Sequence, residues 1–173
     1  MSRLAALLAI LAFVACDIGG GVYVLSEAEG TAILREALEA RGYQPDDTDH
    51  AVTDVVVCPD EGACDPALTY VLDGWDATAG VGFEYVSEAD PDFPDHPELT
   101  GGHVAEVRDA VAALADATAE RVAPATVLVV RRWAHETRYL AEEQLRRHVE
   151  DELDALAAFG GERARALSPS LPE

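Results

Sequence analysis

Apolar positions along this chain fall into three patterns. Leu4 to Val14 is an unbroken run of eleven apolar residues. Val22 to Leu25, Val52 to Cys58, Leu68 to Asp73, Val81 to Val86 and Val127 to Val130 are short runs rich in β-branched residues, the signature of strands. Elsewhere the apolar residues recur at helical spacing. Ile33, Leu34, Ala37 and Leu38 form one stripe, Val104, Val107, Val111, Leu114 and Thr118 a second, and Leu145, Val149, Leu153 and Leu156 a third.

The helix limits are signalled as well. Ser26 followed by Glu29 has the form of a capping box, and Gly42 suits the C-terminal end of the first helix. The second helix runs from His103 to about Val122, where Pro124 stops it. The third starts near Trp133 and reaches about Phe159, before Gly160-Gly161. Its outer face offers Glu142–Arg146, Glu143–Arg147 and Arg147–Asp151 as i,i+4 pairs. The runs at 52–58, 68–73 and 81–86 read as an antiparallel meander. Residues 87–102 are a long irregular segment whose three prolines exclude helix and central strand.

The predicted order is β-α-β-β-β-α-β-α. It implies an α/β (α+β) two-layer sandwich: a mixed, mostly antiparallel sheet of about four to five strands, with three helices mainly on one face. A single globular domain is expected over 22–167, with a disordered tail at 168–173.

The leading run changes the picture. Arg3 supplies a positive start, the apolar stretch is too short to span a bilayer, and Ala15 then Cys16 close it. These are the marks of an export signal over 1–15. The segment Phe13-Val14-Ala15-Cys16 resembles the lipobox of bacterial lipoproteins. That resemblance implies cleavage before Cys16, a diacylglycerol on its thiol and usually an acyl group on its new amine. It places the chain outside the cytoplasm, lipid-anchored to a bacterial membrane, with 16–21 as lipidated cysteine and short glycine tether. Two rivals stay open: a secreted protein, and a signal-anchor continuing through Val22 to Leu25, which would bring Asp17 into the membrane.

Charge narrows the partners. The chain carries 33 acidic and 12 basic residues, for a net charge of −21. Such a surface repels phosphate backbones, so nucleic acid is not an expected partner; the expected ones are the membrane, through the anchor, and an unidentified envelope protein. Once Cys16 is set aside, Cys58 and Cys64 are an even pair in an oxidising compartment and read as a disulfide. Free thiols and a metal pair are the rivals, the latter weakened by a spacing that is not zinc-like.

Little in the sequence announces chemistry. His135-Glu136 begins like a zinc HExxH motif, but the fifth position is Tyr139 and the second ligand is missing. The acidic loop offers Asp90, Asp92, Asp95 and Glu98, with His96 between, as hard oxygen ligands for Ca²⁺, although a solvated loop is the plainer reading. Trp75 is a candidate exposed aromatic at a hairpin tip, with packing under a helix as its commoner role. No cofactor is expected beyond that cation. The expected function is binding or scaffolding at the envelope, and the alternative is an extracytoplasmic, cation-dependent enzyme with its site in the 87–102 loop.

Overall fold

The computed structural model describes residues 22–47, 49–57, 64, 67–88, 90–93, 97–100, 104–159 and 165–167. In chain order the elements are β1 (Tyr23–Val24), α1 (Glu27–Ala40), β2 (Ala51–Val55), β3 (Leu68–Val71), β4 (Gly74–Asp76), β5 (Val81–Val86) and the one-turn α2 (Pro97–Thr100). They continue with α3 (Val104–Val122), β6 (Thr126–Arg131), β7 (Ala134–His135), α4 (Arg138–Phe159) and β8 (Arg165–Leu167). The architecture is α+β: an open mixed sheet in the order β4-β5-β6-β8, accompanied by the pairs β2–β3 and β1–β7. Three of the five pairings among the described residues are antiparallel, while β6 runs parallel to both β5 and β8.

The β5–β6 pair is the middle of the molecule. All six residues of β6 are buried, as are five of the six in β5. Alternation sends Phe83, Tyr85, Leu128 and Val130 to one face, where α1 and α4 cover them. Val86, Val127 and Val129 go to the other face, under α3 and the β2–β3 pair. Two long helices thus share one face, as the pattern predicts, and the third lies opposite with the hairpin.

Local signals and tertiary contacts agree at α1. Ser26 caps it, its hydroxyl accepting from the Glu29 N–H while the Glu29 carboxylate accepts from the Ser26 N–H. Gly42, at φ +88°, occupies the left-handed conformation that ends it. On its buried side Gly30 lets the helix approach the Tyr85 ring; an added Cβ would lie 2.4 Å from that ring. The Tyr85 hydroxyl in turn donates to the Leu25 carbonyl (3.2 Å) and accepts from the Trp133 N–H (2.7 Å). Leu25 N–H also donates to the Trp133 carbonyl, so one phenol fastens the β1–β7 pair to the core.

Four expectations change. The last helix begins at Arg138, five residues after Trp133. Thr137 caps it, and Trp133 is a core residue leading into β7. Pro97 opens a helical turn, since proline is tolerated at the first helical position, where its missing N–H has no partner to lose. The expected meander divides: β2 and β3 pair with each other, and the short β4 takes the place beside β5. On α4, Glu143 pairs with Arg147, but Arg146 reaches across to Glu36 of α1 at 2.7 Å and Glu142 pairs with Arg138. β8 had no clear sequence signal. Among the described residues, no helix is long and apolar enough to cross a membrane.

Gly30→Ala tests the close approach of α1. Alanine has the better helix propensity, yet here it must displace a ring held at both ends of its hydroxyl. Urea denaturation is expected to show a loss of about 1–3 kcal/mol; a more stable variant would refute the contact.

Candidate functional site

The feature that calls for explanation is a glutamate inside the sheet. β5 reads Val-Gly-Phe-Glu-Tyr-Val, and Glu84 falls on the face turned toward the β2–β3 pair, opposite Val129 in the register. It is only 2% exposed. Its carboxylate accepts from the Asp73 N–H at 3.3 Å, and the Asp73 carboxylate accepts from the Tyr85 N–H at 2.8 Å.

The loop after β5 brings two more carboxylates to the same place. Phe93 is fully buried and packs at 5.2 Å against Tyr70 of β3, so the short stretch behind it is drawn down onto the hairpin. Tyr70 is itself fixed by its hydroxyl on Thr118 of α3 (2.6 Å). The Thr118 proton is given to the Leu114 carbonyl, so the phenol is the donor of that pair. Between Ser87 and Phe93 the chain folds around Asp90, which is buried and accepts from the Asp92 N–H (2.9 Å) and the Ser87 N–H (3.4 Å). Asp92 accepts from the Val71 N–H at 2.9 Å, tying the loop to β3. One carboxylate oxygen each from Glu84, Asp90 and Asp92 then lie within 4.8 Å of one another.

Negative charge accumulates where solvent is scarce. Burial, then the Asp73, Asp90 and Asp92 carboxylates, push the Glu84 carboxyl well above the ordinary range. Burial also raises Asp73, and it pushes Asp90 up to about 6 against the hydrogen bonds it accepts. Three hard oxygen donors of this kind suit a divalent cation, whose charge would relieve the mutual repulsion.

No family model, no curated protein and no solved structure matches this chain. The site is therefore read from its own geometry.

Of the residues expected to bind a cation, Asp90 and Asp92 come together. Asp95 and the Glu98 side chain lie outside the described residues, as do Cys16 and Cys58. Cys64 is held in a disulfide. Sequence reading missed Glu84 and Asp73. The signal for Glu84 was present: a lone acid within an otherwise apolar strand run must either face water or find partners. Trp75, expected at a hairpin tip, is half-buried on β4 and stacks on His50.

The raised carboxyls make a signed prediction. Asp90 ionises near 4 in an unfolded chain and at about 6 in the fold, so the folded state holds the extra proton between those values. The stabilisation is complete below about pH 4 and is lost as pH rises through about 6, and Glu84 and Asp73 act in the same direction. In chelator, Glu84→Gln is expected to be more stable than the parent at about pH 7.5, with the difference shrinking toward about pH 4.5. A urea midpoint difference that does not vary with pH would contradict this electrostatic account.

Proposed function

We propose that this protein is a lipid-anchored component of a bacterial envelope that works by binding, and that its acidic nest takes Ca²⁺. The observation that carries the proposal is the convergence of Asp90 and Asp92 on the buried Glu84. Ca²⁺ takes six to eight oxygen ligands and tolerates irregular geometry, which fits carboxylates from one strand and one loop; Mg²⁺ prefers to keep several waters. A bound cation would lower the carboxyl pKa values that burial raises and would pin the loop to β5 and β3. The membrane half of the reading rests on the lipobox-like Phe13-Val14-Ala15-Cys16. It is supported by the disulfide at Cys64, a bond that persists in oxidising compartments. Cys58 is the partner proposed for it. The surplus of acidic residues favours a basic surface on an envelope partner and disfavours nucleic acid.

Calcium at a hundred times its Kd adds about 2.7 kcal/mol to the folded state, which for a domain of this size raises the unfolding midpoint by roughly 5–10 °C. Calorimetry of chelated protein with added Ca²⁺ is expected to show that rise, and Glu84→Gln and Asp92→Asn are expected to abolish it. An unmoved midpoint in the parent ends the cation reading. The anchor is tested separately. Cys16→Ser is expected to lose labelled palmitate and to accumulate as the uncleaved precursor, whereas continued labelling would refute lipidation at Cys16.

A further inference from the structure

A shallow groove of about 400 Å³ lies between β2, β4 and the end of α3. Its wall is an aromatic pair. The Trp75 indole lies flat against Gly82, where an added Cβ would fall 2.7 Å from the ring. The imidazole of His50 stacks on it at 4.0 Å with the planes 10° apart. Backbone hydrogen bonds in both directions between Asp46 and Trp75 fix the strand beneath, at 3.1 and 3.2 Å. The indole is thus held on two sides, and the imidazole is the ring presented outward.

The rim is polar and held in place by an irregularity of β2. The register with β3 shifts between Val52 and Val55, and Asp54 sits at φ +56°, a conformation that non-glycine residues seldom adopt. The shift turns Thr53 and Asp54 outward together, where regular alternation would bury one of them, and leaves Val52 inside as part of the floor. Strained backbone of this kind clusters at binding sites. Arg121, from the last turn of α3, also lines the groove. A second hollow of about 320 Å³ shares that arginine and extends the groove along the helix.

We propose that this groove is a binding site for a neutral oligosaccharide. A pyranose ring has one face of C–H groups and an edge of hydroxyls that both donate and accept. The groove answers each part, with the outward imidazole of His50 and the apolar Val52, Val122 and Ala125 for the face, and Asp54, Arg121 and Thr53 for the edge. Asp54 and Arg121 both line the groove, so its rim carries both signs of charge, and a chain of net charge −21 repels an anionic ligand. The two adjoining hollows suit more than one ring. The proposal is independent of the cation reading, because the two sites share no residue.

The test is titration of the whole mature chain, followed by Trp fluorescence and by amide chemical shifts. The probes are tetrasaccharides of β-1,4-glucose, β-1,4-N-acetylglucosamine, α-1,4-glucose and β-1,4-mannose. At least one is expected to bind saturably below about 10 mM, with shifts at residues 50–54 and 75. His50→Ala and Arg121→Ala are each expected to weaken it tenfold or more while circular dichroism stays that of the parent. Trp75→Phe keeps an aromatic ring beneath the imidazole and is expected to retain part of the affinity. No saturable shift with any of the four probes overturns the proposal, as does binding that both alanine variants leave unchanged.

Discussion

Everything in this molecule depends on the parallel pairing of β5 with β6. Two adjacent strands buried on both faces have no solvent side, so each face must be covered by an amphipathic element. The helices α1 and α4 cover one face, and α3 with the β2–β3 pair covers the other. The remaining packing is fitted to that demand: Gly30 clears room for Tyr85, and the Tyr85 hydroxyl satisfies backbone groups of both Leu25 and Trp133. Surface ion pairs such as Arg146–Glu36 join the covering helices but add little to stability beside the apolar burial beneath them.

The same demand explains why Glu84 is so unusual. A strand with two buried faces has no place for an ionised carboxylate unless something compensates it. The neighbours that act on Glu84 most strongly are themselves acids, so the compensation is either a proton or a cation. A buried acid among other acids costs stability at that position. The loop carrying Asp90 and Asp92 is not a loose acidic tract. Phe93 anchors it in the core and the Val71 N–H orients Asp92, the rigid support that a preorganised site requires.

The β2–β3 pair contributes to both candidate sites. Tyr70 and Val71 hold the acidic loop, while the irregular stretch of β2 with His50 lines the aromatic groove. Because β2 and β3 pair only with each other among the described strands, they cover the sheet as a layer and do not extend it.

Local rules were sufficient for much of this chain. The strand runs at 81–86 and 127–130, the three helical stripes and the capping box at Ser26 were legible because each depends on contacts within a few residues. The acidic loop was legible as a concentration of carboxylates, and Asp90 and Asp92 were named from it. Other features depend on partners distant in sequence. The choice of β7 over an earlier start for the last helix follows from the burial of Trp133 against Tyr85, and the pairing of Arg146 with Glu36 follows from the crossing of α1 and α4. The meeting of Glu84 with Asp90 and Asp92, and of His50 with Trp75, is likewise set by how the sheet, loop and hairpin pack. The sequence by itself determined which segments become helix or strand and where acid and aromatic residues are available. Only the tertiary structure decided which of them face one another, because burial and through-space charge arise between elements that the chain order does not bring together.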